Sequence, residues 1–306
     1  MNIDKNGLIY HYTSVQGFLG IIETQSLWVT SINGVNDSLE GKLHDTLLKS
    51  ALDNLTLSPL DIIEFMEKYQ KSNPVTPHLR KIPDMESNPE FIDTLRDLCK
   101  ESIGELISSS LNFISTALLP HICCFSQQRD KLSQWRAYGD DGKGIVLAFD
   151  RSEIEASINK DLGFPVEIRD VMYDKVEQES YSKKLVQRLI RHMIVSQSND
   201  SLDSINASKD YFSSPLLFKH HSFNEEEEVR LIYNSNNAKD SKFRCVNGNI
   251  VSYYEHTFPA RSLKGIVLGS KCSLLTDTND FKAFISRNFK HVLDYGFIEK
   301  SDSSYR

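Results

Sequence analysis

The sequence predicts an α+β fold in a single domain, with a mixed, mainly antiparallel sheet and helical insertions. Short apolar segments typical of strands recur along the chain, but helices do not alternate with them one to one, as they would in a parallel α/β sheet. The 306 residues contain no internal repeat, and no linker-like segment separates two parts. We therefore expect one domain over residues 1–306.

The N-terminal segment predicts a strand, a helix and a second strand. Residues 8–12 are short and apolar, and Ser14 is placed to cap a helix over residues 15–23. Residues 26–30 predict the second strand. We expect these elements to begin the sheet.

Two regions, residues 40–119 and 174–208, are expected to be mainly helical insertions. In the first, an apolar stripe at helical spacing runs from Leu95 to Leu118 and indicates core packing. The second combines a helix over residues 174–196 with a Ser/Asn/Asp-rich loop over residues 196–208.

The remaining elements complete the sheet. Further strands are expected at residues 122–126, 144–149, 226–233, 242–246, 250–255, 265–268 and 291–293. A short helix that carries Trp135 and Tyr138 separates the first two, and a helix over residues 276–288 precedes the last.

Composition limits the classes of partner. The chain has 35 Lys and Arg against 42 Asp and Glu, so nucleic acid is expected to bind only through a local patch. Five cysteines without a CxxC pair indicate reduced thiols. Because no apolar run is long enough for a signal peptide or a membrane span, we expect a cytoplasmic protein. The acceptor and the oligomeric state stay open.

The first candidate site residues lie at the end of the first strand. His11 stands between two tyrosines, and Tyr12 and Thr13 follow it just before a helix N-terminus. This placement suits a phosphate or a ribose. The alternative is that His11 is a core residue that is hydrogen-bonded within the fold.

The second candidate group is aromatic. Trp135 and Tyr138 are three residues apart, so on a helix they would share one face and could stack on a base or nicotinamide. The alternative is an aromatic anchor that packs the helix on the sheet. The glycine-rich residues 139–144 lack phosphate-loop spacing and lead into a strand, which predicts a turn.

The third candidate group lies on the strand at residues 226–233. A period of two places Glu226, Glu228 and Arg230 on one face, and the intervening apolar residues on the other. If the apolar face is core, the charged face looks into a cleft, where Arg230 keeps the carboxylates ionised. A solvated run of charges is the alternative.

No metal site is expected. The chain lacks HExxH and other zinc-ligand spacings, and the adjacent His220 and His221 would point to opposite faces of a strand.

These motifs together resemble the domain of unknown function 2971 family. The resemblance includes residues 8–14, 27–28, 36–40, 124–126 and 133–139, and continues through residues 219–230 to the C-terminus. Two residues depart from the family pattern: Phe223 stands where tryptophan is usual, and Val229 where an aromatic residue is common. The resemblance covers nearly the whole chain and by itself implies no reaction.

A weaker resemblance is to ADP-ribosyltransferase-like proteins, in which a His or Arg, an aromatic residue and a late Glu-x-Glu form an NAD cleft in this chain order. It implies an ADP-ribosyltransferase-like fold and NAD as a substrate. Glu228 would stabilise the oxocarbenium-like transition state, and Glu226 would orient a protein, nucleic-acid or small-molecule acceptor. The implied catalytic residues are Glu228, Glu226 and His11, and the implied cofactor-binding residues are His11, Tyr12, Thr13, Trp135, Tyr138 and Arg230.

Two other functions stay open. In a magnesium-dependent nuclease, Glu226 and Glu228 would join Asp37 or Glu40 around the metal. In a non-catalytic sensor or partner-binding protein, the same residues would hold the fold. The family resemblance also implies a bacterial protein with a role in phage defence.

Overall fold

The computed structural model describes residues 7–32, 40–56, 58, 93–94, 96–97, 100–101, 104–105, 119–158, 166–195, 210, 213–235, 241–246 and 248–303. The chain divides into two compact units. The sheet unit comprises Met1–Asp37, Leu119–Val171 and His220–Arg306, and the helical unit comprises Ser38–Leu118 and Met172–Lys219. The predicted α+β class is confirmed, and the expectation of a single domain stays a prediction.

The sheet unit is built on one mixed sheet. Its described strands are β1 (Leu8–Thr13), β2 (Ser26–Ser31), β3 (Leu119–Ser126), β4 (Ile145–Asp150), β5 (Val166–Asp170), β6 (Glu228–Ser235), β7 (Lys242–Val246), β8 (Asn249–Thr257), β9 (Leu263–Leu268) and β10 (Phe297–Lys300). The order is β10-β9-β4-β1-β3-β2-β8-β7, with β6 on β3 and β5 on β6. The β9–β10 pair is parallel, and the other pairs of these strands are antiparallel.

The sheet opens along one edge of β3. On one side, β6 pairs with β3 over the whole strand. On the other side, Tyr10 of β1 pairs with Ser126 near one end, whereas Thr30 of β2 pairs with Ile122 nearer the other. β1 and β2 therefore separate beside residues 123–125.

The two faces of the sheet differ in polarity because side chains alternate along each strand. Val229, Leu231 and Tyr233 belong to the main hydrophobic core, as the alternation in β6 predicts. That core also takes residues from helices α1 (Val15–Thr24) and α6 (Asn279–Asp294). Glu228 and Arg230 lie on the opposite face, which combines these charges with a smaller apolar cluster that includes Tyr12 and Trp135 and is called the polar face below.

The N-terminal prediction is confirmed in detail. β1 and β2 form where expected, and α1 between them begins at Val15. The Ser14 Oγ accepts a hydrogen bond from the Gly17 amide at 3.0 Å, so the predicted cap satisfies an otherwise unpaired helix donor.

Several predicted bounds are wrong. β6 begins at Glu228 rather than at residue 226, because residues 221–226 form a 3-10 helix and Glu227 has a φ of 41°. Residues 291–293 lie within α6, and the last strand is β10. β5 and the short helix α4 (Arg151–Ala156) were not predicted from the sequence.

The short helix α3 (Leu132–Ala137) corrects the aromatic prediction. The helix ends before Tyr138, whose φ of −127° is not helical. Trp135 is 1% exposed, whereas Tyr138 is 44% exposed, so the two rings do not share a face. The predicted turn at residues 139–144 is confirmed as a short 3-10 turn.

The helical unit contains α2 (Glu40–Asp53) and α5 (Lys175–Val195), which pack against each other. α5 confirms the helix expected over residues 174–196. His44 of α2 is buried, and its Nε2 lies 2.7 Å from the Ser214 hydroxyl. The apolar stripe from Leu95 to Leu118 and the loop at residues 196–208 lie outside, or mostly outside, the described residues.

Two sequence-wide expectations can be compared with the described part of the chain. None of its helices has the length and apolar character needed to cross a membrane. The described cysteines, Cys123, Cys124, Cys245 and Cys272, are free thiols.

We predict that Gly144→Ala lowers the free energy of unfolding by about 1–3 kcal/mol, because overpacking forces neighbouring atoms apart. A Cβ on Gly144 would lie 2.2 Å from the Thr13 carbonyl oxygen and 2.8 Å from that of Gly139. Denaturant unfolding measures the loss.

The matched control is Gly20→Ala in α1, where a Cβ would meet nothing within 4 Å. It should raise the free energy of unfolding by about 0.5–1 kcal/mol, because alanine is the better helix former. Equal stability of the Gly144→Ala variant and the original protein would contradict the close approach of β1 and the turn.

Candidate active site

A cavity of about 270 Å³ lies within the sheet unit where β1 and β2 separate. Much of its lining comes from the polar face of the sheet, whereas His11, Cys123 and Phe125 belong to the face of the main core. The remainder comes from α3, from Tyr138 just after it and from the 3-10 helix before β6. The lining residues are Tyr10, His11, Tyr12, Trp28, Thr30, Ile122, Cys123, Cys124, Phe125, Ser126, Gln134, Tyr138, Glu226, Glu228 and Arg244.

His11 bridges the opening between β1 and β3. Its Nδ1 lies 2.9 Å from the carbonyl oxygen of Cys124, and its ring meets Phe125 edge-on. A carbonyl only accepts hydrogen bonds, so Nδ1 carries the proton and Nε2 is an acceptor. Burial lowers the pKa of His11 from its ordinary value, although the Cys124 hydrogen bond opposes this. The neutral ring therefore offers a lone pair.

Glu228 is held by Arg230 in a buried pair. The Arg230 Nε donates to one carboxylate oxygen at 2.8 Å, and a terminal nitrogen donates to the other at 2.9 Å. Arg230 is fully buried and Glu228 is 6% exposed, at the cavity wall. This two-point contact fixes the orientation of the carboxylate. It confirms that Glu228 and Arg230 share a face.

Cys124 completes this cluster from β3. Its thiol hydrogen-bonds to Glu228, and burial, followed by the charge of Glu228, raises the pKa of the thiol well above its ordinary value. The thiol therefore stays protonated and acts as a donor to the carboxylate. Its resting state is that of a supporting group rather than a nucleophile.

Glu226 reaches the cavity from its rim. It ends the 3-10 helix at residues 221–226 rather than continuing the alternation of β6, so its predicted place on the strand face is wrong. The Ser126 hydroxyl donates to the Glu226 carbonyl at 2.7 Å and attaches this helix to the end of β3. The two glutamates thus approach the cavity from different backbone elements.

Tyr12 and Trp135 support the site. The Tyr12 hydroxyl donates to the Gln128 carbonyl at 2.8 Å and accepts from the Lys131 amide at 3.0 Å. Trp135 Nε1 donates to Asp130 at 2.6 Å, and the two aromatic rings meet edge to face at 5.1 Å. These contacts favour the aromatic anchor over the stacking surface for Trp135.

The cavity brings together only some of the residues expected from the sequence. His11, Tyr12, Tyr138, Glu226 and Glu228 line it. Thr13, Trp135 and Arg230 do not line it, and their predicted part in binding a ligand stays a prediction.

Sequence reasoning missed Trp28, Thr30 and Arg244. Trp28 and Thr30 are two residues apart on β2, so the period of two could have placed both on one face of that strand. Arg244 lies on a different strand, β7, to which this period does not apply. The pairing of β2 with β8 and β8 with β7 brings these strands together, and this pairing carries no local sequence signal.

Comparison with known proteins gives a family match over part of the chain. Residues 134–231 match the model of the family described as "Protein of unknown function (DUF2971)", which confirms the predicted resemblance over this segment. The matched segment contains Tyr138, Glu226, Glu228 and Arg230 but ends before Arg244 and begins after His11. Neither the curated proteins nor the solved structures give a match.

We predict that Glu228→Gln lowers the free energy of unfolding by about 3–5 kcal/mol, because it leaves the buried Arg230 charge uncompensated. The double variant Glu228→Gln/Arg230→Gln should recover most of this loss, since neither charge then remains buried. Chemical denaturation of both variants gives the comparison.

The surface pair between Arg261 and Glu153 is the control, with its Nε and Oε2 atoms 2.6 Å apart. Glu153→Gln should cost less than about 1 kcal/mol, as exposed pairs do. If the losses of Glu228→Gln and Arg230→Gln simply add in the double variant, the two side chains do not act as a pair.

Proposed function

We propose that this chain, whose residues 134–231 match the DUF2971 family, consumes NAD: it cleaves the nicotinamide glycosidic bond and transfers ADP-ribose to an acceptor or to water. The observation that carries the proposal is that His11, Tyr138, Glu226 and Glu228, from distant parts of the sequence, line one cavity. An acidic side chain, an aromatic ring and a neutral imidazole suit the reacting end of this substrate.

Glu228 is the proposed catalytic carboxylate. When the bond between the ribose C1′ and the nicotinamide nitrogen breaks, its electron pair leaves with nicotinamide and positive charge develops on the ribose. A fixed carboxylate stabilises this charge without reorganising. Arg230 supports the proposal because it holds the carboxylate in one orientation from behind. The acceptor oxygen then bonds to C1′ and releases its proton to water.

His11 is proposed to bind a ribose hydroxyl. The ring is neutral, and its Nδ1 proton is used by the Cys124 carbonyl, so its remaining capacity is that of an acceptor. A ribose hydroxyl can donate to Nε2, whereas a phosphate oxygen cannot. Between the two ligands expected at this position, the ribose is therefore favoured.

The cavity is sized for part of the dinucleotide. Sites for drug-sized ligands measure roughly 300–1,000 Å³, and this cavity measures about 270 Å³. The nicotinamide and its ribose form the part that must meet Glu228. Tyr138 is 44% exposed and lines the same cavity, so its ring offers a surface for the nicotinamide.

The other candidate functions have less support. Both Glu228 oxygens accept from Arg230, which disfavours their use as magnesium ligands. In the described part of the chain, no group of three or more His, Cys, Asp or Glu residues could hold a metal, and Asp37 lies outside that part. A sensor that binds the same ligand without cleaving it, and a role in phage defence, stay predictions.

We predict that the purified protein releases nicotinamide from NAD and that Glu228→Gln/Arg230→Gln lowers the rate at least about 100-fold, as loss of preorganised charge stabilisation does. Chromatography of the reaction mixture measures nicotinamide. The double variant is used because it avoids an uncompensated buried charge, so lost activity can be separated from lost folding.

The matched control is Glu153→Gln/Arg261→Gln, which removes the same two charges from a pair outside the cavity and should keep the rate within about twofold. The proposal fails if the original protein neither releases nicotinamide nor binds NAD or ADP-ribose by calorimetry. Binding without release would identify the non-catalytic sensor.

We further predict that two His11 substitutions differ in their effects: one weakens ligand binding, and the other lowers stability. In His11→Asn the amide nitrogen replaces Nδ1 at the Cys124 carbonyl, but the Nε2 acceptor is lost, so ADP-ribose affinity should fall about two- to tenfold. In His11→Gln the amide oxygen replaces Nε2, but the Cys124 carbonyl loses its donor, so stability should fall by about 1–3 kcal/mol. Calorimetry and thermal melting separate the two. Equal affinity for ADP-ribose in both variants would leave His11 with a purely structural role.

A further inference from the structure

Arg244 brings a cation into the wall of the cavity. Its side chain reaches from β7 towards β2, where a terminal nitrogen donates to the Thr30 hydroxyl at 2.9 Å. Its guanidinium lies over the Trp28 ring, 5.0 Å from the ring centre. Among the described residues no carboxylate forms an ion pair with it, in contrast to Arg230.

Part of this guanidinium is buried and unsatisfied. The Arg244 Nε is inaccessible to solvent and finds no hydrogen-bond partner in the described part of the protein. A buried donor that lacks a partner costs free energy. The Nε itself is not reached from the cavity, so a ligand there would contact the rest of the guanidinium, which is only half-buried and lines the cavity.

The surrounding side chains hold the Arg244 guanidinium in one orientation, which favours the binding of an anion. Cation–π contact with Trp28 fixes the guanidinium plane. Tyr253, whose ring centre lies 4.6 Å from that of Trp28, supports the indole from a neighbouring strand. The Thr30 hydroxyl accepts from Arg244 and can turn its own proton towards a ligand. Glu255, the acidic residue of the adjoining strand β8, is paired with Lys242 at 2.7 Å.

We propose that Arg244, together with Thr30 and supported by Trp28, binds the diphosphate of the dinucleotide. This inference rests on the proposed function, because it assigns the other end of the same substrate. The planar guanidinium matches two phosphate oxygens at once, which a lysine cannot do. Glu228 and Arg244 line one cavity. A substrate bound there would place its cationic nicotinamide and the attached ribose at Glu228 and its anionic diphosphate at Arg244.

The test is calorimetry with ADP-ribose, inorganic pyrophosphate and adenosine. Arg244→Gln should weaken ADP-ribose binding about 10- to 100-fold, the range expected for lost charged hydrogen bonds. Pyrophosphate binding should be lost, whereas the affinity for adenosine should not change. Arg244→Lys retains the charge without the forked geometry and should give an intermediate loss.

Arg287→Gln is the matched control, because Arg287 carries the same charge, is exposed on α6 and does not line the cavity. It should change ADP-ribose affinity by less than about twofold. An equal loss in Arg287→Gln and Arg244→Gln would indicate a general effect of charge and overturn the subsite. Thermal melting of Arg244→Lys provides a folded comparison if Arg244→Gln is destabilised.

The diphosphate-subsite proposal and the proposed cleavage of NAD can fail independently, and the experiments distinguish the two outcomes. Nicotinamide release with a KM for NAD that Arg244→Gln leaves unchanged overturns the subsite and retains the enzyme. Arg244-dependent binding of ADP-ribose without nicotinamide release retains the subsite and overturns the enzyme. Arg244-dependent binding of a single-stranded oligonucleotide, with no binding of ADP-ribose, overturns the diphosphate assignment.

Discussion

The site depends on the hydrogen bond that His11 donates to the carbonyl oxygen of Cys124. β3 is fully paired with β6, but its other edge is shared by β1 and β2, which leave it at different positions. A backbone carbonyl exposed in this opening needs a donor. The His11 side chain supplies it across the gap at 2.9 Å. The opening is thus compatible with a stable sheet and leaves room for a cavity.

The unequal faces of the sheet explain where the chemistry is found. The apolar face packs against α1 and α6 and takes the branched and aromatic side chains of β6. The polar face holds Cys124, Glu228 and Arg230 around the opening, and α3 packs beside it through Trp135. Tyr12 ties the segment before α3 to β1 by two hydrogen bonds. The geometry of the cavity therefore depends on side chains that never touch a ligand.

The sequence predicts those parts of the fold that have a local cause. Ser14 caps α1, and the alternation in β6 correctly separates Val229 and Leu231 from Glu228 and Arg230. It fails at Glu226, because the positive φ of Glu227 interrupts the period of two. It also misses Arg244, since the contact with Thr30 spans strands that are distant in sequence. Local pattern identifies the candidate acids, whereas only the pairing of distant strands brings Arg244 into the same cavity.

The burial of charge is the strongest physical argument that this face serves more than folding. A buried ion pair is weak evidence of stability, because its desolvation cost is comparable to the attraction gained. Glu228 and Arg230 occupy positions in a central strand where two apolar residues would pack at less cost. Arg244 adds a second cation, one of whose donors is unsatisfied. A fold alone gains little from this arrangement, whereas a ligand with an anionic part would neutralise the charge that Arg244 brings to the cavity.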